Sequence, residues 1–280
     1  MTRRVALIGK PLRRRHSAVM HDAAFDHFGI NARYEIRELE PADLEGFATT
    51  ARGPDWLGFQ VTAPYKRDVM AYCDRIEPEA AEIGAINSVL RQPDGVLVGF
   101  NTDMVGFVRS VGEDLGLPLE EAEVVVAGAG GAARAVVAGC LRAGAKRVLV
   151  GNRTLETAEQ LAESIDPTRV VGVGSRSPRF AEALGSADLA VNATTVGMTE
   201  PDLPFDPNLL PGGAAVFDLV YVPSETPLLA AARRRGLRGA NGAGMLVVQA
   251  EAAFERWTGV AGAGPVMRTA LDALLAEPGG

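Results

Sequence analysis

The feature that most constrains the fold of this 280-residue chain is a glycine-rich turn between an apolar run and a helical segment. The apolar run, Val124 to Ala127, is short and unbroken, which is typical of a parallel strand covered on both faces. Gly128 permits a tight turn, Gly130 lets the backbone approach a pyrophosphate, and the small Ala133 lets the following helix pack on the sheet. The first turn of such a helix offers free N–H groups to a phosphate. The turn therefore predicts a doubly wound α/β domain that binds a nucleotide.

The next apolar run indicates which nucleotide is bound. Val148 to Val150 leads into Asn152-Arg153-Thr154, at a strand end where NAD-binding domains carry an acid for the ribose hydroxyls. Here the acid is absent, and the guanidinium of Arg153 can pair with a 2′-phosphate. Glu156 is close enough in the sequence to oppose a phosphate. The pattern favours NADP and leaves NAD as the alternative.

Composition excludes several classes of protein. Hydrophobic residues make up 47% and charged residues 22% of the chain, as in a soluble globular protein. The net charge of −7 argues against a nucleic-acid partner. The two cysteines and three histidines show no disulfide or metal-binding spacing, so no metal is expected. The apolar run Val5 to Ile8 is too short for a signal-peptide core, and no segment approaches a membrane span. We expect a cytoplasmic protein with a small-molecule substrate and neither a nucleic-acid nor a membrane partner.

Strands and helical stretches alternate along most of the chain, which predicts an α/β protein of two domains separated by a cleft. Residues 1–103 are predicted to form an α/β substrate-binding and catalytic domain with a mainly parallel sheet. A hairpin around Pro93-Asp94-Gly95 adds an antiparallel element to that sheet. Residues 104–238 are predicted to form a Rossmann-like NADP-binding domain with strands at 123–127, 147–151, 169–173, 188–192 and 214–218. Residues 239–280 are predicted to be helices, without a strand, that pack back on the first domain.

Two charged residues just past strand ends are candidates for proton transfer. Lys66 follows the predicted strand at 56–61, and Asp103 follows the one at 96–100. A lysine held by a carboxylate can move the proton of an alcohol while hydride leaves for a nicotinamide. On spacing alone, two solvated surface side chains explain the same pattern better.

Seven motifs, in order, identify a family that the chain resembles. They are Val-Thr-x-Pro-Tyr-Lys, Ile-Asn-Ser, Asn-Thr-Asp, Gly-Ala-Gly-Gly-Ala-Ala-Arg-Ala, Asn-Arg-Thr, Asn-Ala-Thr-Thr-Val-Gly-Met and Gly-Met-Leu-Val-Val-Gln-Ala. This set is similar to the shikimate dehydrogenase family over nearly the whole chain. The resemblance implies reversible reduction of 3-dehydroshikimate to shikimate with NADPH, in aromatic amino-acid biosynthesis.

The resemblance also implies roles for individual residues. Lys66 matches the catalytic lysine of the family and Asp103 its partner. The residues that match substrate-binding positions are Thr62, Asn87, Tyr221 and Gln249. Those that match the NADP-binding loops are Gly128, Ala129, Gly130, Gly131, Ala132, Asn152, Arg153 and Thr154. Near the nicotinamide, the matching residues are Thr195, Leu219 and Gly242.

Three departures from the family pattern concern substrate and cofactor. Where the family has two serines for the substrate carboxylate, an ungapped alignment places Arg15 on the first and Ser17 on the second. Arg15 can bind a carboxylate through a bidentate fork or point to solvent. Gln60 replaces the usual Asn, and Thr157 replaces a second basic residue of the NADP site.

These departures leave two alternative functions open. One is a paralogue that acts on quinate or aminoshikimate, possibly with NAD. The other is an NADP-binding regulator without catalysis, against which the presence of both Lys66 and Asp103 argues. The oligomeric state, monomer or homodimer, is also left open by the sequence.

Overall fold

The computed structural model describes residues 2–12 and 15–277, which form two compact units. The first unit contains the described residues up to Asp103 together with those from Leu246 onward. The second unit runs from Met104 to Met245. Each unit has its own six-stranded sheet with helices, which confirms the α/β class. No helix in the described part of the chain is long and apolar enough to cross a membrane.

The sheet of the first unit has the strand order β2-β1-β3-β5-β6-β4. Its strands are β1 (Arg3–Gly9), β2 (Ala32–Glu38), β3 (Trp56–Val61), β4 (Arg75–Ile76), β5 (Ser88–Arg91) and β6 (Leu97–Phe100). β1 pairs in parallel with both β2 and β3, whereas β5 is antiparallel to β3 and to β6. The β5–β6 pair confirms the predicted hairpin. Because β5 is antiparallel to both of its neighbours, β3 and β6 run in the same direction. They therefore end at the same edge of the sheet.

Helices and a layer of aromatic rings cover this sheet. The helices are α1 (His16–His27), α2 (Leu44–Thr50), α3 (Pro78–Ile83) and α10 (Gly264–Leu275), together with the greater part of α9 (Ala243–Thr258). Phe25 of α1 packs on Phe254 of α9, with ring centroids 5.3 Å apart. The indole N–H of Trp257 donates to the carbonyl oxygen of Val89 at 3.0 Å, which ties α9 to the sheet. The described residues from Leu246 onward therefore complete the core of the first unit.

The second unit has a wholly parallel sheet in the order β12-β11-β10-β7-β8-β9. Its strands are β7 (Glu123–Ala127), β8 (Arg147–Asn152), β9 (Val170–Gly174), β10 (Leu189–Asn192), β11 (Ala215–Asp218) and β12 (Arg238–Asn241). Its helices are α4 (Asp103–Leu115), which starts at the unit boundary, α5 (Gly131–Arg142), α6 (Leu155–Ile165), α7 (Pro178–Leu184) and α8 (Pro227–Arg234). This strand order is that of a doubly wound nucleotide-binding fold.

One predicted boundary differs from the compact units. Residues 239–241 were expected in a strandless C-terminal segment, but β12 pairs in parallel with β11 in the second sheet. The unit boundary lies between Met245 and Leu246, inside α9. β12 escaped prediction because the sequence Arg-Gly-Ala-Asn contains no apolar run, as is tolerated in an edge strand.

Candidate active site

The site in the first unit is centred on an ion pair between two side chains that follow strand ends. The Nζ atom of Lys66 lies 2.5 Å from Oδ2 of Asp103. Lys66 lies in the loop after β3, and Asp103 begins the helix after β6. Because β3 and β6 end at the same edge, the fold places them side by side. The side chains are only 12% and 9% exposed, so the pair is shielded from water.

Asn87 fixes the other oxygen of the Asp103 carboxylate. Its Nδ2 atom donates to Asp103 Oδ1 and to Thr102 Oγ1, each at 2.9 Å. The backbone N–H of Thr102 donates to Asn87 Oδ1 at 2.8 Å, which sets the orientation of the amide. Both oxygens of Asp103 therefore have fixed donors, and the carboxylate can hold the lysine in one position.

A second amide pair adjoins this group. Gln249 of α9 accepts at Oε1 from Asn87 Nδ2 at 3.3 Å and from Gln60 Nε2 at 2.8 Å. The hydroxyl of Tyr34 donates to Gln60 Oε1 at 2.5 Å. The structure thus brings Lys66, Asp103, Asn87 and Gln249 into one hydrogen-bonded group.

Sequence reasoning did not single out Tyr34. It lies on β2 outside the recognised motifs, and it is only 6% exposed. Burial raises the pKa of its hydroxyl well above the ordinary value. Tyr34 therefore stays protonated and acts as a hydrogen-bond donor.

The remaining predicted substrate residues of the first unit lie just after β3 and at the start of α1. Thr62 follows β3 directly, and its backbone N–H donates to the carbonyl oxygen of Ile8. Ser17, in the first turn of α1, is hydrogen-bonded to the Tyr34 hydroxyl. Arg15 immediately precedes α1 and is exposed. Tyr221, by contrast, belongs to the second unit, where it follows β11 and is half-buried.

The glycine turn of the second unit has the geometry that phosphate binding needs. Gly128 has a φ of +109°, and a Cβ atom there would lie 2.9 Å from the carbonyl oxygen of Ala193. Gly130 caps α5 at φ −81°, and a Cβ atom there would meet nothing within 4 Å. Gly128 is thus required by the backbone, whereas Gly130 leaves open space in front of the helix. Gly131, Ala132 and Ala133 direct the first helical N–H groups towards that space. The turn, including the half-buried Ala129, fits a pyrophosphate.

The predicted ribose-binding residues lie at the end of β8. Asn152 Nδ2 donates to the carbonyl oxygen of Thr154 at 2.9 Å, which shapes the loop. Arg153 and Thr154 are exposed, and Thr154 precedes α6. The Arg153 guanidinium is therefore accessible to a phosphate.

A buried carboxylate, which the sequence did not indicate, organises the loops where the nicotinamide is expected. Asp218 Oδ1 accepts from Asn192 Nδ2 at 2.8 Å, and Oδ2 accepts from Thr226 Oγ1 at 2.6 Å. Burial raises the pKa of Asp218, and these bonds oppose that shift. Asn192 is the last residue of β10, and the loop that follows it carries Thr195. The network therefore holds the loops after β10 and β11 together.

Leu219 and Gly242 lie next to each other at the ends of β11 and β12. A Cβ atom at Gly242 would be 2.3 Å from the carbonyl oxygen of Leu219, so only glycine fits there.

Two protein-family models match the chain. The shikimate dehydrogenase substrate binding domain matches residues 7–89, and shikimate / quinate 5-dehydrogenase matches residues 111–198. The shikimate dehydrogenase (NADP(+)) of Geobacter metallireducens is 40% identical over 98% of this chain and 97% of its own length.

Two solved structures with the same fold superpose on this chain over nearly the full length of both proteins. Shikimate 5-dehydrogenase from Thermus thermophilus in complex with NADP(H) and shikimate has a TM-score of 0.87 and 36% identity, over 97% of this chain and 99% of that one. Quinate dehydrogenase from Corynebacterium glutamicum in complex with NAD has a TM-score of 0.90 and 32% identity, over 97% and 99% of the two chains.

Proposed function

Because the chain belongs to the shikimate dehydrogenase family, we propose that it catalyses the reversible reduction of 3-dehydroshikimate to shikimate with NADPH. The observation that supports this most is the shielded pair of Lys66 and Asp103 beside the amides of Asn87 and Gln249. A charged pair next to neutral hydrogen-bonding groups suits a polyhydroxylated ring whose hydroxyl is to be oxidised.

Lys66 is the proposed proton-transfer group. In the direction of reduction the Lys66 ammonium gives a proton to the carbonyl oxygen of 3-dehydroshikimate and becomes a neutral amine. In the direction of shikimate oxidation that neutral amine takes the proton of the reacting hydroxyl. Asp103 holds and orients the amine, while Asn87 keeps the carboxylate from rotating. NADP, when bound, supplies the hydride acceptor. Thr62, Asn87, Gln249 and Tyr221 are the proposed partners of the ring hydroxyls, and Arg15 and Ser17 those of the carboxylate.

The cofactor assignments follow the shape of the second unit. Gly128, Ala129, Gly130, Gly131 and Ala132 would hold the pyrophosphate at the start of α5. Asn152, Arg153 and Thr154 would hold the ribose and its 2′-phosphate, and the nicotinamide end would rest on Thr195, Leu219 and Gly242. The exposed Arg153 guanidinium supports NADP over NAD.

Replacement of the lysine tests the proposal. We expect Lys66→Met to lower kcat for shikimate oxidation by about 10²–10⁴-fold, because the hydroxyl loses its proton acceptor. Lys146→Met is the matched control, since Lys146 forms an exposed ion pair with Glu123 in the second unit. NADPH formation followed at 340 nm measures both variants. A Lys66→Met enzyme as fast as the wild type would refute the role of the lysine.

A second candidate substrate is quinate or aminoshikimate, possibly with NAD. Gln60 lies within the site and is longer than the Asn usual in the family, and the fold matches a quinate dehydrogenase closely. Initial rates with shikimate, quinate and aminoshikimate, each with NADP⁺ and NAD⁺, distinguish the candidates. Faster turnover of quinate or aminoshikimate than of shikimate would transfer the assignment to that compound.

We also propose a cytoplasmic location and a small-molecule substrate without a nucleic-acid partner. The net charge of −7 would repel a phosphate backbone. Monomer and homodimer are both compatible with this function, and sedimentation equilibrium separates them.

A further inference from the structure

We infer that Tyr34 and Gln60 form a positioning pair that fixes the side-chain amide of Gln249 for substrate binding. The inference rests on the function proposed above. Three side chains of the first unit form a one-way series of hydrogen bonds. Tyr34 donates to Gln60 Oε1 at 2.5 Å, and Gln60 Nε2 donates to Gln249 Oε1 at 2.8 Å. Gln249 Nε2 then donates to the carbonyl oxygen of Leu246 at 2.9 Å.

The carbonyl end of this series sets its direction. A primary amide exchanges its donor and its acceptor when it turns over, so neither glutamine has an intrinsic preference. The carbonyl oxygen of Leu246 only accepts, and this requires the Nε2 atom of Gln249 on its side. The hydroxyl of Tyr34 can donate or accept, and at the opposite end of the series it donates to Gln60 Oε1. Both amides are therefore held in one orientation.

This orientation determines what Gln249 offers to a ligand. Its Oε1 accepts from Gln60 and Asn87, whereas its Nε2 has two hydrogens, of which the bond to Leu246 uses one. We assign the second hydrogen to a ring hydroxyl oxygen of the substrate. If the amide turned over, the site would present an acceptor there, and the substrate would have to donate instead.

Burial makes the orientation energetically significant. Tyr34 is 6%, Gln60 3% and Gln249 6% exposed, so water cannot replace a lost partner easily. The imidazole of His21 stacks on the Tyr34 ring with centroids 4.7 Å apart and planes 3° from parallel. Tyr34 is thus held from its ring face as well as at its hydroxyl, where it also meets Ser17.

The length of Gln60 accounts for the connection. Tyr34 is on β2 and Gln249 on α9, and Gln60 on β3 reaches both through the two ends of one amide. Asparagine, shorter by one methylene, cannot span the same gap from the same backbone position. The residue that departs from the family pattern is therefore the one that links tyrosine to glutamine.

Steady-state kinetics with shikimate tests the pair. We expect Tyr34→Phe and Gln60→Met to raise KM roughly tenfold while kcat stays within about twofold, because Lys66 and Asp103 remain in place. Tyr72→Phe is the matched control, since Tyr72 packs at the edge of the same core and should leave KM unchanged. In a Gln249→Met background, addition of Gln60→Met should change KM less than about twofold. Additive effects in this cycle would overturn the inference.

A substrate-free measurement separates this inference from the proposed function. The side-chain amide ¹⁵N–¹H signals of Gln249, assigned by their loss in Gln249→Met, should shift in Tyr34→Phe and not in Tyr72→Phe. Unchanged Gln249 signals would overturn the positioning role even in an active enzyme. Shifted signals in a protein that does not turn over shikimate would leave the positioning role standing and refute the substrate. Should Gln60→Met fail to fold, Tyr34→Phe, which removes only one oxygen, decides the outcome by itself.

Discussion

At the residue scale, His21 shows how burial determines a charge state. It lies fully buried among the rings of Tyr34, Phe254 and Trp257, with centroid distances of 4.7, 6.3 and 5.4 Å. Desolvation lowers the pKa of its imidazole to about 3, and the Gln60 side chain beside it opposes this shift only weakly. His21 is therefore neutral, and Tyr34 stacks on an uncharged ring at neutral pH.

This neutral histidine makes stability depend on pH. The unfolded chain binds a proton at His21 below pH 6.5, whereas the folded chain resists protonation down to about pH 3. The contribution of His21 to the free energy of unfolding is therefore complete above pH 6.5 and is lost as the pH falls. Between pH 7.5 and pH 5 we expect the free energy of unfolding to drop by about 2 kcal/mol from His21.

Urea denaturation at both pH values measures this loss. A His21→Phe variant carries a packing cost that does not depend on pH, so it should lack this part of the drop. Equal pH dependence in the two proteins would show that His21 does not contribute.

Individual residues of the site also differ in whether the sequence alone predicts them. Lys66 and Asp103 follow strand ends within recognisable motifs, so both were predictable. Tyr34 and Asp218 were not, because neither lies in one of the seven motifs. Gln60 is on another strand, and the partners of Asp218 are Asn192 and Thr226. Nothing local in either stretch indicates those bonds.

At the scale of elements, the glycine turn is the best-predicted part of the molecule. The strand, the turn and the helix follow one another as β7, Gly128 to Gly130 and α5. The elements that escaped prediction are the short edge strands β4 and β12. Both are too short or too polar to give an apolar run, and pairing with a neighbour defines them. The local pattern of apolar residues therefore predicts central strands better than edge strands.

Two alanine substitutions in this turn should separate folding from cofactor binding. Gly128→Ala is expected to destabilise the protein by about 1–3 kcal/mol, because of its positive φ and its contact with Ala193. Gly130→Ala should leave stability within about 0.5 kcal/mol, since its Cβ atom meets nothing. It should nevertheless raise the Kd for NADP⁺ about tenfold or more, because a methyl group enters the space of the pyrophosphate.

Thermal unfolding and calorimetric titration with NADP⁺ check both variants. Tight NADP⁺ binding by Gly130→Ala would show that the pyrophosphate lies elsewhere.

At the scale of the whole molecule, the two units differ in how the chain builds them. The second is one continuous segment with its own apolar core, which includes Phe107, Val126 and Phe217. The first needs two separated segments, since Phe254 and Trp257 complete the packing around His21. We therefore expect residues 104–245 alone to fold and bind NADP⁺, and residues 1–103 alone to remain unfolded.

Circular dichroism and ¹⁵N–¹H spectra of the two fragments test this expectation. We expect cooperative unfolding of the 104–245 fragment and no cooperative unfolding of the 1–103 fragment. A folded 1–103 fragment would show that α9 and α10 are dispensable for the first core.

The division at Asp103 and Leu246 also gives the molecule a modular construction. In genetic terms, the second unit is one continuous segment inserted into the sequence of the first unit. The two segments of the first unit on either side of it supply Lys66, Asp103 and Gln249. Replacement of the second unit by one that recognises another dinucleotide would change the nicotinamide cofactor. The proton-transfer residues would stay in the first unit. Preference for the cofactor can thus change without the loss of the proton-transfer pair, and Tyr221 is the one proposed substrate residue that would be exchanged with the second unit.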